Sequence, residues 1–284
     1  MKYYLTLLLR GFRHPGKVAR GITAFFRNRA TEVFIISYPK SGRTWLRVLV
    51  NRSLQHKAKV ADSRLLRTFE ISRKSRCLTT QFSHDGLCNL YNYDPYNRLS
   101  YKSHLYKGRK VVFLKRDIRD VLVSHYFEET RRMKTFTGSL SDFIRHDVFG
   151  ARKLVEFNNM WFRNRKIPSD FLLISYEELH HSPHQVLKQV LEFMGAPDAT
   201  DTVLEEAIEY SSFENLRKRE LNNEFKSSRL SPGDPGDANS FKTRKGKIGG
   251  FREAMNPEDI LFIEETVRSH GDPGCDWYFH PEAS

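Results

Sequence analysis

At 284 residues, with 39% hydrophobic and 29% charged side chains, the chain is long enough for one α/β domain with a sizeable core and too apolar to be disordered. A formal net charge of +13 fits a polyanionic partner such as nucleic acid, an anionic membrane or a phosphorylated nucleotide, although a solvated basic surface would look the same. No apolar run approaches the roughly 20 residues that span a bilayer, and the three cysteines, Cys77, Cys88 and Cys275, lack zinc-type spacing and argue for a reducing compartment, with a Cys77–Cys88 pair disfavoured.

Residues 1–31 carry Lys2, Arg10, Arg13, Lys17, Arg20, Arg27 and Arg29 and no acidic residue, with Leu5, Leu8, Phe12, Ile22, Phe25 and Phe26 interleaved. Three readings stay open: an amphipathic helix touching a membrane surface, a transit peptide, or a basic helix packed on the domain. The domain proper is expected over residues 32–284.

The first strand is "EVFIIS" (residues 32–37), an apolar run leading through "YPKSGRTW" into a helix that starts near Gly42. A second candidate is "CLTTQF" (residues 77–82). The third is "KVVFLKR" (residues 110–116), followed by the helical pattern "DVLVSHYFEETRR". The fourth is "DFLLISY" (residues 170–176). After it Ser182 is expected to cap a helix with Pro183 at its first position and Val186, Leu187, Val190, Leu191 and Met194 on one face, and Gly195 ends it. Asn256 and Pro257 start a last helix, which Gly271 stops. Strand–helix alternation predicts a single doubly wound α/β domain with a central parallel sheet. Residues 227–240, rich in Pro, Gly, Asp and Ser, read as a mobile loop that could close as a lid.

In doubly wound sheets ligands sit at the carboxyl ends of the strands. There "PKSGRTW" would aim the backbone N–H groups of Ser41, Gly42, Arg43, Thr44 and Trp45 at an anion from a helix N-terminus, with Lys40 adding a full charge. The loop is P-loop-like, but its Lys precedes the Gly, unlike G-x-x-x-x-G-K-[ST]. Arg116 ends the third strand, Ser124 follows on the next helix, and Tyr176 ends the fourth strand. Singly, each has a plain structural explanation.

As a set they resemble the cytosolic-type sulfotransferases, which use 3′-phosphoadenosine 5′-phosphosulfate (PAPS). The resemblance runs over residues 32–252. "YPKSGRTW" is similar to that family's loop for the 5′-phosphosulfate. "KRDIRDVLVSHYF" resembles its 3′-phosphate segment, which implies that role for Arg116 and Ser124. "LISYEEL" implies an adenosine-side role for Tyr176. "RKGKIGG" resembles the C-terminal R-K-G element and implies 3′-phosphate contacts for Arg244, Lys245 and Gly246. "YSSFENL" is a weaker match around Ser211 and Ser212. Arg43 departs from the usual Thr or Ser, and Gly250, Phe251 and Arg252 replace Asp-Trp-Lys. The implied reaction is transfer of a sulfuryl group to a hydroxyl, with Lys40 neutralising the leaving phosphate, a histidine as base, and no metal.

That family's base follows a strand, often in K-T-H. "YKSHL" offers His104, but the next strand begins near Val111, and a parallel crossover takes about a dozen residues or more. "CLTTQFSHDG" offers His84 with ample chain before the next strand, so His84 is expected to be the base and His104 the alternative. Phe82 then stands where the resemblance expects a Lys. Asp85 would orient or repel the His84 ring.

The implied acceptor is a small-molecule, lipid or glycan hydroxyl, not nucleic acid, held by residues 54–101 and 127–149. Those segments carry Phe69, Phe82, Tyr91, Tyr93, Tyr96, Phe136, Phe143 and Phe149. The expected setting is cytoplasmic, with peripheral membrane contact through the N-terminal segment as an option. The competing classes are a P-loop kinase or NTPase, disfavoured by the Lys–Gly order and the lack of a magnesium carboxylate, and a non-enzymatic basic membrane- or RNA-binding protein.

Overall fold

The structure, a computed structural model, describes residues 15–85, 99, 101–227 and 230–280, with side chains from residue 23. In chain order the described helices are α1 (Pro15–Ala30), α2 (Arg43–Ala58), α3 (Thr68–Lys74), α4 (Ser103–Tyr106), α5 (Ile118–Phe127), α6 (Leu140–Arg145), α7 (Ala151–Asn164), α8 (Tyr176–His181), α9 (Pro183–Phe193), α10 (Asp201–Tyr210), α11 (Phe213–Leu221) and α12 (Pro257–His270). The strands are β1 (Val33–Ile36), β2 (Thr80–Ser83), β3 (Lys110–Lys115) and β4 (Asp170–Ser175).

The strands pair in parallel in the order β2-β1-β3-β4. Strand β1 is apolar at every position because both of its faces are covered. Phe34 and Ile36 join one core layer with Phe113, Phe157 and Trp161, under α5, α7 and α12. Val33 and Ile35 join the other with Leu46, Leu49, Val190 and Leu191, under α2, α9 and α10. Helices on both faces make the sheet doubly wound, as the strand–helix alternation predicts. Loss of a side chain such as Trp161, which has no exposed surface, would cost about 3–5 kcal/mol.

Strand order reverses between β1 and β3, because the chain leaves β1 for β2 on one side and then crosses back to β3 on the other. A crevice opens at such a point, outside the carboxyl ends of the strands. The loop after β1, His84 after β2, Arg116 after β3 and Tyr176 after β4 all lie at that edge.

Several boundaries differ from the sequence expectation for visible reasons. Strand β2 starts at Thr80, not Cys77: Leu78 N–H is drawn to Met194 O at 2.9 Å, and Thr79 N–H to the Glu32 carboxylate at 2.8 Å. Strand β4 stops at Ser175, whose side chain and Glu178 form a reciprocal capping box that starts α8 at Tyr176. Ser182 makes no side-chain cap for α9; its N–H instead closes α8 onto Glu178 O at 2.8 Å. Gly195 does sit in the left-handed region, at φ 75°, and the Asn256 side chain does cap α12, accepting from Asp259 N–H at 2.7 Å.

Of the basic N-terminal segment, residues 1–14 lie outside the described residues; helix α1 ends against the sheet, where Gln81 donates to the Asn28 side chain at 2.8 Å and Arg109 to Arg29 O at 2.8 Å. No helix among the described residues is long and apolar enough to cross a membrane. Cys88 and the tyrosines 91, 93 and 96 also lie outside the described residues, so the Cys77–Cys88 question does too.

Candidate functional site

A cavity of about 730 Å³ occupies the crevice, and Lys40, Gly42, Arg43, Thr44, Trp45, His84, Arg116, Ser124, Tyr176, Arg244, Lys245 and Gly246 all line it. Ser41 does not. It is 2% exposed, and its N–H is spent on a turn to Tyr38 O at 3.4 Å rather than left for an anion.

The loop after β1 turns sharply, with Lys40 at φ 70° and Gly42 at φ 92°. A Cβ on Gly42 would fall 2.5 Å from Tyr176 Cδ2, so only glycine lets the loop reach the tyrosine. Gly42 is also the N-cap of α2 and has no side chain to satisfy the first-turn N–H groups, and no acidic residue stands in that turn. The helix end is therefore open to an anion.

Arg116 is held from three sides. It donates to Lys40 O at 3.2 Å and Lys247 O at 3.1 Å, and its guanidinium lies 4.1 Å over the Tyr176 ring. Its Nε is buried and has no hydrogen-bond partner among the described residues, and the same is true of Arg244 Nε. Burial, then the charge of Arg116, pushes the Arg244 pKa down, so the two guanidiniums repel within one cavity. A phosphate between them would relieve both deficits. Asp120 fixes the C-terminal segment beside this pair by accepting from Gly249 N–H and Phe251 N–H, each at 2.9 Å. Glu220, fully buried, holds the segment's other end by accepting from Lys242 N–H at 2.5 Å and Thr243 N–H at 2.9 Å. Gly246 sits at φ 61° with Phe213 2.5 Å from where a Cβ would stand. On the adenosine side expected for Tyr176, the Trp45, Tyr176 and His180 rings form one wall, with Trp45 5.7 Å from Tyr176 and 6.1 Å from His180. Ser211 lines the cavity, whereas Ser212 caps α11.

His84 Nδ1 lies 2.8 Å from Ser37 O. A carbonyl only accepts, so Nδ1 carries the proton and Nε2 keeps its lone pair. Burial, reinforced by Arg43, Lys242 and Arg47, holds the ring's pKa well below its ordinary value. His84 is thus neutral near pH 7. His104, in α4, is exposed and does not line the cavity. Asp85 turns from His84 and accepts from Tyr106 at 2.5 Å.

The full charge expected of Lys40 is not left bare. Its ammonium pairs with Glu128 at 2.8 Å, with the two side chains only 6% and 4% exposed. Lys242 at 2.6 Å and Arg132 at 2.7 Å hold the same carboxylate. Burial alone would raise the Glu128 carboxyl, but the three cations hold it well below the carboxylate range. Burial and Lys40 push the Lys242 ammonium down to about 7, against the opposing pull of Glu128.

The residues that sequence reasoning missed are Glu128, Arg132, Lys242, Asp120 and Glu220. The Glu128–Arg132 spacing of i,i+4 was readable in "EETRR", but the pairing of Glu128 with Lys40 and Lys242 joins positions 88 and 114 residues apart. Of the aromatic residues expected around an acceptor, Phe82 lines the cavity with the Arg47 guanidinium 4.7 Å over its ring. Phe143 and Phe149 instead stack in the core, 0% and 2% exposed. The loop expected to be mobile is closed on itself by Gly233 N–H to Ser240 O at 3.2 Å and Asp234 N–H to the Ser240 hydroxyl at 2.9 Å, and Arg132 donates to Ser231 O at 3.0 Å; residues 228 and 229 lie outside the described residues. Its Asp and Ser side chains spend their polarity locally, as turn residues do.

Comparison with known proteins places these features in context. The family model described as "Sulfotransferase domain" matches residues 30–272. Cytosolic sulfotransferase 17 of Arabidopsis thaliana is 27% identical over an alignment covering 92% of this chain and 78% of its own. Flavonol 4′-sulfotransferase of Flaveria chlorifolia is 26% identical, covering 85% and 79%. Among solved structures, retinol dehydratase in complex with androsterone and the inactive cofactor PAP superposes with a TM-score of 0.61 at 17% identity, covering 88% of this chain and 82% of that one. Mouse sulfotransferase SULT7A1 complexed with PAP gives 0.59 at 18%, covering 86% and 85%. At those identities the structural likeness speaks to the fold.

Proposed function

The chain belongs to the sulfotransferase domain family, and from that premise we propose that it carries the sulfuryl group of PAPS to a hydroxyl of a small-molecule acceptor. The observation that carries the reading is the meeting, in one cavity, of an uncapped helix end, two guanidiniums with unpartnered buried Nε atoms, and a histidine with a free Nε2.

In this reading the first turn of α2 and Lys40 hold the 5′ end of the donor, Arg116, Ser124, Arg244, Lys245 and Gly246 hold its 3′-phosphate, and Trp45 and Tyr176 face the adenosine. His84 Nε2 takes the acceptor's hydroxyl proton. The acceptor oxygen forms a new S–O bond as the S–O bond to the 5′-phosphate breaks, and that phosphate keeps the electron pair. Lys40 neutralises the charge that appears on it. No protein nucleophile and no change of oxidation state are involved. Relatives that act on a flavonol or are named as cytosolic support a small hydroxyl acceptor and a cytoplasmic setting.

Two experiments test this. Adenosine 3′,5′-diphosphate should raise the thermal midpoint far more than ATP or RNA; equal shifts would sink the nucleotide assignment. A radiolabelled-sulfate transfer screen over phenols, aliphatic alcohols, lipids and glycans should then find the acceptor class.

A further inference from the structure

We propose that Lys242 is a further catalytic residue, whose ammonium moves from Glu128 to the non-bridging oxygens of the sulfuryl group while that group is in flight. The inference rests on the sulfotransferase reading above and adds a residue to it.

Three observations carry it. The first is charge balance. One carboxylate, Glu128, faces Lys40, Lys242 and Arg132 in a wall of the cavity, so three basic side chains share a single acceptor group. Glu128 accepts from Lys40 at one oxygen and from both Lys242 and Arg132 at the other. An ammonium carries three protons, and Glu128 takes one from Lys242. The remaining ammonium protons of Lys242 can be offered to an arriving anion.

The second is placement. Lys242, Lys40 and His84 line the same cavity. On the reading above, Lys40 meets the leaving oxygen and His84 the attacking one, so the sulfur passes between them. Two cations share a carboxylate with Lys40, and of these Lys242 is the one whose charge also acts on the His84 ring, which puts it beside that path. Ahead of His84, strand β2 lines the cavity with Phe82 and Ser83, and neither brings a charge.

The third is anchoring. The Lys242 and Thr243 N–H groups are fixed on buried Glu220, and Arg217 donates to Thr243 O at 2.8 Å. The residue is thus tied to the strand of chain that carries Arg244 and Lys245. Burial and the nearby Lys40 make its charge uncomfortable in the absence of an anion, with a pKa down to about 7. An arriving sulfuryl group would restore it. With the anion bound, Lys242 is an ammonium that keeps its protons through the transfer and changes only its acceptor.

The experiment compares Lys242→Met, and Lys242→Gln as a second uncharged side chain in case the first fails to fold, with wild type. Affinity is measured for PAPS and for adenosine 3′,5′-diphosphate, which lacks the sulfuryl group, and single-turnover transfer is measured separately. Transfer should slow by about 10²–10³-fold, the size of effect seen when one preorganised donor is removed from a developing charge. Affinity for the diphosphate should stay within about threefold, and the preference for PAPS over it should shrink by about tenfold. Transfer near the wild-type rate, or parallel loss of affinity for both nucleotides, would overturn the proposal and leave Lys242 a spacer of the nucleotide segment. Wild-type protein that neither binds the diphosphate nor transfers sulfate would overturn the parent reading instead.

Discussion

The two ends of the cavity are built on different principles. At the Arg116 end, the guanidinium is locked by two backbone carbonyls and the Tyr176 ring, and the neighbouring Asp120 carboxylate is itself fixed by Gly249 and Phe251 N–H groups. At the His84 end, the cations share one carboxylate, and each can trade Glu128 for an arriving anion. A rigid clamp suits a group that only has to be bound. An exchangeable cluster suits a group whose charge changes place during reaction, because interactions made in the transition state are the ones that accelerate it.

The comparison breaks most sharply at His84. His84→Ala should leave adenosine 3′,5′-diphosphate binding near wild type and slow transfer by about 10²–10⁴-fold. The pH profile gives a second handle. Burial and Arg43 depress the ring's pKa from its ordinary 6.5, so the neutral base persists below that pH and the acid limb of wild-type transfer should lie below 6.5. Stability follows the same sign. The unfolded chain gains a proton near 6.5 that the folded ring refuses, so the His84 contribution is present above 6.5 and is lost as pH falls through the folded value. An acid limb unchanged in His84→Ala would remove His84 from the chemistry.

Arg116→Ala tests the rigid end. Its side chain is 11% exposed. Nucleotide binding should weaken by about 2–4 kcal/mol, the range for truncating one side of a buried charged contact. The loss should be much smaller for a nucleotide without the 3′-phosphate. Equal losses would mean that Arg116 shapes the wall without touching that phosphate. The rate of bound substrate should change little, in contrast to His84→Ala.

The rigid end was the more legible of the two in the sequence, because its parts lie in contiguous motifs. "YPKSGRTW" and "KRDIRDVLVSHYF" each put a strand end, a turn and a helix start within a dozen or so residues. The crossover length was enough to put His84 at the carboxyl edge of the sheet and His104 at the amino edge. The exchangeable end is a tertiary object. Glu128 looks like a helix-surface residue paired with Arg132, and Lys242 like one more cation in a basic run. Nothing local brings either of them to Lys40. The buried state of Lys40 escaped for the same reason, since its ion pair spans 88 positions. Boundaries failed where side chains outbid the local pattern, as at β2, where Glu32 takes the Thr79 N–H. The capping box at Ser175 and Glu178 was readable in "SYEE", yet an apolar run with an aromatic end drew the strand one residue too far.

A smaller effect is expected where the two ends meet, at Gly42→Ala. The φ of 92° and a Cβ 2.5 Å from Tyr176 require the loop to shift. Left-handed geometry costs a side-chain-bearing residue about 1–2 kcal/mol. Nucleotide affinity should fall by the corresponding factor of roughly 5–30, with some loss of thermal stability. Affinity unchanged at both the 5′ and 3′ groups would show that the loop can retreat from Tyr176 without consequence.

The smallest effect belongs to His104. It lies exposed in α4, a single turn just before β3 begins at Lys110, and therefore at the amino edge of the sheet. Arg116 marks the opposite, carboxyl edge, and β3 rises about 3.3 Å per residue over its length. A side chain at the amino edge cannot share a proton with a hydroxyl held near Lys40. His104→Ala should transfer sulfate within about twofold of wild type, because surface substitutions away from caps and buried pairs move free energies by about 0.5 kcal/mol at most. A loss as deep as that of His84→Ala would mean that the acceptor enters from the amino edge, and the division into a rigid clamp and an exchangeable cluster would then have to be redrawn around a different site.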